Sequence, residues 1–294
     1  MQILVTGGTG FIGEALLPSL IEAGHECIVL SRQKLEDTPG IRYINDLSGV
    51  TSGVDAVINL AGASLAGARW SAGYKREIVN SRLDTTSALM ELIAAMEPRP
   101  RVLLSASAIG YYGHHGDEVL DEDGEAKEGF AQGLCQHWEA AATQAQGLGV
   151  RTCLLRLGVV LDAGGGAYEQ MEMPFRLGVG NWIGNGKQWL SWIHRQDVVR
   201  AVNFLLTQDA LEGAFNLTAP EAVTSRGFCH AMGKHRKTLF NLSMPAPVMR
   251  LMLGEMAEEL LINGQRVAPS RLQDNGFCFS YPTLDEALTQ IIAA

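Results

Sequence analysis

The sequence predicts an α/β protein: a parallel sheet wound on both faces, with a smaller lobe toward the C-terminal end. Three observations lead there. Short apolar runs of strand length alternate with helical segments across residues 2–217. A glycine-rich loop, Thr6-Gly7-Gly8-Thr9-Gly10-Phe11-Ile12-Gly13, joins the first such run to the first helical segment. After about residue 218 the alternation stops and turn-forming residues accumulate. Nearly continuous β-branched and aliphatic runs, rather than alternating ones, suit strands covered by helices on both faces.

In chain order, a strand at 2–6 (QILVT) precedes a helix at 11–23. Strands at 26–31 (ECIVLS), 41–44 (IRYI) and 55–60 (DAVINL) follow, then a long helix at 75–96. A fifth strand, 101–107 (RVLLSAS), leads to a helix at 131–146 and a sixth strand at 151–156 (RTCLLR). A helix at 196–207 leads into a last strand at 213–217 (GAFNL). Gly164-Gly165-Gly166 marks the exit from the sheet. Residues 1–163, rejoined by 195–218, are therefore expected to form the nucleotide-binding domain, and 164–194 with 219–294 the smaller substrate lobe. In that lobe a helix is expected over 245–262, with Pro245 and Pro247 near its start. The segment 117–128 holds seven acidic residues and one Lys, and reads as a solvated loop.

Composition narrows the function. The 294 residues include 23 Lys plus Arg against 32 Asp plus Glu, a formal charge of −9. That balance offers no electrostatic footprint for nucleic acid or an anionic membrane surface. An anionic ligand must be held by local groups, and the expected partner is a small molecule. No apolar run approaches the ~20 residues of a membrane span. The five cysteines (27, 135, 153, 229 and 278) are odd in number and contain no C-x-x-C. They read as reduced thiols of a cytoplasmic protein rather than a disulfide or zinc scaffold. The chain runs from Met1 directly into a strand, with no basic or cleavable leader pattern. His114-His115, isolated and adjacent, does not have metal-ligand spacing.

The glycine loop follows a strand and opens a helix, the context a dinucleotide loop requires. Gly7 allows the tight turn, Gly10 lets a pyrophosphate approach the backbone, and Gly13 lets helix and strand pack closely. Thr9, Phe11 and Ile12 complete the cradle. The phosphates would sit at the helix N-terminus, where free N–H groups and the dipole favour an anion. An NAD site places Asp or Glu about 20 residues further on, at the end of the second strand. Here that strand ends Leu30-Ser31-Arg32-Gln33 without an acid. Ser31 and Arg32 suit a 2′-phosphate instead, so the expected cofactor is NADP(H). Asp46, after the third strand, is a candidate for the adenine edge or for a turn.

These residues resemble the extended short-chain dehydrogenase/reductase superfamily, in its NAD(P)-dependent epimerase/dehydratase branch. Asn59-Leu60-Ala61-Gly62, Ser105-Ala106-Ser107 and Trp192-Ile193-His194-Arg195-Gln196-Asp197 support the likeness. A narrower resemblance, to the "epimerase family" subgroup with a small C-terminal domain, rests on Arg69-Trp70, Ser81-Arg82, Gly110-Tyr111-Tyr112-Gly113, Cys135-x-x-Trp138-Glu139 and Gly254-Glu255-Met256. The resemblance covers essentially the whole chain. It implies a Rossmann fold and a nicotinamide dinucleotide, but no particular substrate. It places Leu60, Ala61 and Gly62 beside the adenosine or pyrophosphate, Glu77 and Arg82 near the cofactor, and Val159 or Val160 by the nicotinamide. Where the superfamily shows N-x-x-G-T, this chain has Arg82-Leu83-Asp84-Thr85-Thr86, with Arg in place of Asn.

The superfamily's chemistry uses Tyr-x-x-x-Lys with a Ser or Thr. The Lys lowers the Tyr pKa and holds the ribose. None of the six Tyr here has Lys four residues later. Aligned on Glu139, Ala131 stands where the Tyr belongs and Cys135 where the Lys belongs. Candidate replacements are Ser107 as orienting hydroxyl, a Tyr111 or Tyr112 phenol, the Cys135 thiol and His194. Each also has a plainer reading: pocket-wall aromatics for the two Tyr, a small buried hydrophobe for Cys135, and a helix cap for His194. The segment 178–192, with Trp182, Trp189, Trp192 and Lys187, is expected to line the substrate cleft or to pack the lobe. The function expected is an NADP(H)-binding oxidoreductase or epimerase-like enzyme acting on a small metabolite. The alternative is an NADP(H)-binding regulatory protein without chemistry.

Overall fold

A computed structural model describes residues 1–50 and 53–293. Seven strands form one sheet: β1 (Gln2–Thr6), β2 (Glu26–Leu30), β3 (Ile41–Ile44), β4 (Ala56–Asn59), β5 (Val102–Ala108), β6 (Arg151–Leu157) and β7 (Gly213–Leu217). Their spatial order is β7-β6-β5-β4-β1-β2-β3, and every neighbouring pair is parallel. The chain winds outward from β1 to β3 on one side and from β4 to β7 on the other. The winding therefore reverses between β1 and β4, and ligands of such sheets bind in the crevice at that reversal, beyond the strands' carboxyl ends.

Helices α1 (Gly13–Glu22), α2 (Ala72–Ala95), α3 (Phe130–Thr143) and α5 (Arg195–Thr207) cover the sheet. Alternate residues of each strand point to opposite faces. Ile3, Val5 and Ile58 pack with Leu16 and Leu20 of α1 and Val202 of α5 on one face. Leu4, Val57 and Leu103 pack with Leu89 and Ile93 of α2 on the other. Burial on both sides is the reason the strands read as unbroken apolar runs. Each such side chain contributes about 1.5–3 kcal/mol on burial.

A second apolar cluster lies in the lobe. Helix α4 (Gly166–Arg176), α6 (Ser225–His235) and the last helix (Leu284–Ala293) pack around Phe175, Phe228, Met232 and Leu288. Strand Val179–Ile183 pairs in parallel with Phe240–Met244. Among the described residues, none after Leu217 joins the seven-stranded sheet. The helix expected over 245–262 is not continuous. Gly254, at φ +65°, ends α7 (Ala246–Leu253), and the chain resumes as Glu255–Ala257 and a single π turn over Glu258–Ile262. The acidic segment is also not wholly solvated. Glu122 is buried and accepts N–H groups of Asn216 at 3.0 Å and of Arg271 at 3.2 Å. Its carboxylate thus ties this loop to β7 and to the C-terminal region, and burial pushes its pKa up.

Candidate functional site

The glycine loop leaves β1 at the winding reversal. Gly7 has φ +71°, and a Cβ there would lie 2.6 Å from the backbone of Leu60, so the turn presses directly on the loop after β4. A Cβ on Gly13 would lie 2.4 Å from the Gly7 carbonyl oxygen. These two glycines are required by backbone against backbone, where nothing can yield. The Gly10 N–H donates to the Gly7 carbonyl at 3.0 Å, closing the turn. Helix α1 begins at Gly13 without a side-chain cap. Its first N–H groups therefore lack the side-chain acceptor that most helices supply, which suits an anion. The Phe11 ring packs where a Cβ on Gly165 or Gly166 would come within 2.8 Å.

At the end of β2, Ser31 is buried, and its Oγ accepts the Gln33 N–H at 3.1 Å. Arg32 is exposed, and its side chain has no partner among the described residues. Asp46, expected at the adenine edge or in a turn, makes a turn contact. Its side chain caps Leu47–Gly49 by accepting the Ser48 N–H at 2.8 Å, and these hydrogen bonds hold its carboxyl below the usual range.

A buried polar chain fixes the end of β4. Thr6 Oγ1 donates to Asn59 Oδ1 at 2.6 Å, Asn59 Nδ2 donates to Thr86 Oγ1 at 2.9 Å, and Trp138 Nε1 donates to the same oxygen at 3.1 Å. Beyond Asn59, Leu60 and Ala61 are half-buried and Gly62 is exposed. The Ala63 N–H donates to Ser81 Oγ at 2.9 Å, which pins this loop to α2. Arg82 lies directly beneath Gly62, where a Cβ would meet its Cζ at 2.9 Å. Arg82 is only 8% exposed, donates from Nη1 to the Ile78 carbonyl at 3.0 Å, and lies 5.1 Å from the Trp138 ring centre. Glu77, by contrast, is exposed and makes no ion pair with it. Val159 and Val160 are half-buried on a short strand running parallel to Trp192–His194.

The candidate proton carriers are mostly occupied. Ser107 is buried and donates from Oγ to Glu139 Oε1 at 2.6 Å. Arg156 holds both Glu139 oxygens, at 2.9 and 3.0 Å, and donates to the Tyr112 hydroxyl at 2.9 Å. That hydroxyl donates to Asn216 Oδ1 at 2.7 Å. Tyr112 is therefore not a free phenol beside a cleft: it is fully buried, and burial pushes its pKa up to about 12. Cys135 is buried too, and burial with nearby Glu139 raises its thiol to about 11. Its neighbours include Ser107, Glu139 and Arg82, so it is not packed as a hydrophobe, but the raised thiol stays protonated and unreactive at neutral pH.

His194 caps α5, accepting the Gln196 N–H on Nδ1 at 3.1 Å and donating from Nε2 to Gln290 Oε1 at 2.8 Å. Both ring nitrogens are engaged, and burial lowers its pKa. Tyr111 differs from these four. It is half-buried, its ring lies 3.5 Å from the Arg156 guanidinium, and its hydroxyl has no partner among the described residues. Of the three tryptophans in residues 178–192, Trp192 is fully buried and Trp182 half-buried in the lobe's apolar cluster, whereas Trp189 donates to Asp117 at 2.8 Å and stacks under Arg266.

Three participants had no assigned role in the sequence. Arg156 builds the cage around Ser107 and Tyr112. Arg195 donates to Asp162 at 2.6 Å and to the Phe11 carbonyl at 3.3 Å, joining α5 to the glycine loop. Glu259 accepts the N–H groups of Phe130 and Ala131 at 3.2 and 3.1 Å, capping α3 from the C-terminal region. Arg195 stood inside a recognised motif, but nothing local marks Arg156 or Glu259.

Comparison with known proteins agrees with this fold. The family model for the NAD dependent epimerase/dehydratase family matches residues 3–218, and a domain of unknown function, DUF1731, matches 244–291. The epimerase family protein Mb2239 of Mycobacterium bovis is 38% identical over 291 residues, covering 97% of this chain and 96% of that protein. The crystal structure of human epimerase family protein SDR39U1 (isoform 2) with NADPH superposes with a TM-score of 0.88 at 33% identity, covering 100% of this chain and 99% of that one. UDP-glucuronic acid 4-epimerase from Bacillus cereus, in complex with NAD, shares the fold at a TM-score of 0.78 and 15% identity, covering 100% of this chain and 96% of that one.

Proposed function

This chain belongs to the NAD-dependent epimerase/dehydratase family, and on that footing we propose that it binds NADP(H) and carries out oxidoreductase or epimerase-like chemistry on a small metabolite. The observation that carries this reading is the end of β2, where Arg32 is exposed and without an in-chain partner beside buried Ser31, with no carboxylate there. A guanidinium and a hydroxyl complement a 2′-phosphate, whereas a carboxylate would be needed for the unmodified ribose. The NADPH in the human neighbour is in keeping with that choice. Gly7, Thr9, Gly10, Phe11, Ile12 and Gly13 would hold the pyrophosphate. Leu60, Ala61 and Gly62 would flank the adenosine side, Val159 and Val160 the nicotinamide, with Glu77 and Arg82 on α2 nearby.

A nicotinamide held there would supply or accept a hydride. Among this chain's groups, Ser107 keeps its proton on Glu139, so it would accept and orient a substrate hydroxyl rather than donate to it. The Tyr111 phenol is the candidate donor that the fold has not engaged. A second reading, a non-catalytic NADP(H)-binding regulator, is favoured by Ala131 and Cys135 in the Tyr and Lys positions.

Two measurements test these readings. Wild type should bind NADPH more tightly than NADH, and Arg32→Ala should reduce NADPH affinity by about 10- to 100-fold, the worth of a charge-assisted contact. Equal affinity for both cofactors contradicts the NADP(H) assignment. NADPH turnover should then be screened over carbonyl and sugar-nucleotide compounds. With any active substrate, Tyr111→Phe should lose about 10²–10⁴ in rate. Tight NADPH binding with no hydride transfer across that panel supports the regulatory reading.

A further inference from the structure

The smaller lobe leaves a large apolar surface uncovered. All five residues of the strand Phe240–Met244 are exposed, and α7 buries none of its residues. Leu177, Leu239, Phe240, Leu242, Leu251 and Met252 are each more than half exposed. These residues lie on neighbouring segments. The Leu239 N–H donates to the Gly178 carbonyl at 2.7 Å, which sets it beside Leu177 just past the end of α4. Pro245 alone separates the strand from α7. With Met173, Met244 and Val248, the group presents on the order of 1,000 Å² of apolar side chain, where the largest patch on a typical monomer is ~300–600 Å². A standard interface buries about 800 Å² on each partner.

The shape of this surface favours one kind of occupant. Along the strand, Phe240, Leu242 and Met244 point to one face, Asn241 and Ser243 to the other. The second face is used within the chain: Ser243 donates to the Gly184 carbonyl at 2.6 Å, and Asn241 fills the place where a Cβ on Gly180 would stand. The uncovered face is therefore the apolar one. On α7, Val248, Leu251 and Met252 are spaced i, i+3 and i+4 and form one exposed stripe. Arg250 is tied to Glu258 in an ion pair at 2.6 Å, so it brings no unpaired charge to that stripe. Among the described residues the strand pairs only with Val179–Ile183, so its other edge is open. An open apolar edge is a template for a strand of another chain.

We propose that this surface is a two-fold interface between two copies of this chain, with the strand Phe240–Met244 pairing antiparallel to itself. Centred on Leu242, that pairing sets Phe240 opposite the partner's Met244 and Leu242 opposite the partner's Leu242. Apolar side chains then meet apolar ones at every position of the uncovered face. Two two-stranded sheets become one of four strands, and the two-fold contact closes with no need of a third copy. An anionic membrane is the poorer occupant, because a formal charge of −9 gives it no attraction. Dimerisation of this kind is independent of the cofactor.

Sedimentation of the full chain over a range of micromolar concentrations tests it. Wild type should be a dimer. Leu242→Lys places like charges face to face on the two-fold axis and should raise the dimer dissociation constant at least about 100-fold, as should Leu242→Glu. Mixed one to one, the two variants should recover a dimer, because Lys then faces Glu. Leu242 is exposed in the single chain, so the circular dichroism spectrum should not change. Should either variant fail to fold, Leu251→Glu on α7 must show the same loss of dimer. A wild type that stays monomeric overturns the proposal, and its flotation with neutral phosphatidylcholine vesicles would then mark a lipid-facing surface instead. A dimer that persists in the variants lies on another surface and overturns it too, as does a mixture that stays monomeric.

Discussion

At neutral pH the Cys135 thiol and the Tyr112 phenol both keep their protons, because burial raises them to about 11 and about 12. His194 shifts the other way. Burial lowers it from 6.5, so the folded chain holds it neutral where the unfolded chain begins to protonate it. The stability it contributes is present above about pH 6.5 and is lost as pH falls through the folded value. The melting temperature of wild type should therefore drop between pH 7.5 and 5.5, and His194→Asn, which keeps a capping side chain, should drop less. Equal drops would show that His194 is not the linked group. These residues also mark where the sequence stopped being legible. The demand on Gly13 comes from the glycine loop itself and that on Gly7 from the loop after β4, and the glycine spacing announces both. The state of Ser107, Tyr112 and His194 depends on Glu139, Asn216 and Gln290, which lie 32, 104 and 96 residues away.

Among the elements, the strands of the sheet fall within a residue or so of their expected positions, because apolar runs covered on both faces have few alternatives. The helix expected at 245–262 is interrupted because Gly254 adopts a left-handed conformation that the apolar pattern does not encode. The most consequential element, α3, starts without a cap of its own: its N-cap is Gly129, and the capping carboxylate comes from Glu259. Trp70, Phe130 and Met256 pack beside this junction, so subgroup motifs scattered along the sequence converge where the family's Tyr would stand. Glu259→Ala should lower the unfolding free energy by about 1 kcal/mol, the usual worth of a helix cap, as measured by urea denaturation. An unchanged midpoint and slope would mean that the cap is redundant.

For the molecule as a whole, a formal charge of −9 gives an anionic cofactor no general attraction. Recognition has to be local, and the fold gathers three positive features at the winding reversal: the uncapped start of α1, Arg32 beyond β2, and Arg82 beneath the loop after β4. The first two were legible because they follow directly from strand ends. The burial of Arg82 against Trp138 was not, since it depends on how α2 and α3 pack. The account stands most directly on a crystal structure with NADPH bound. It predicts the pyrophosphate against the first turn of α1 and the 2′-phosphate within hydrogen-bond distance of Arg32 and Ser31. A nucleotide bound with its 2′-phosphate away from Arg32, or outside the glycine loop altogether, would contradict it.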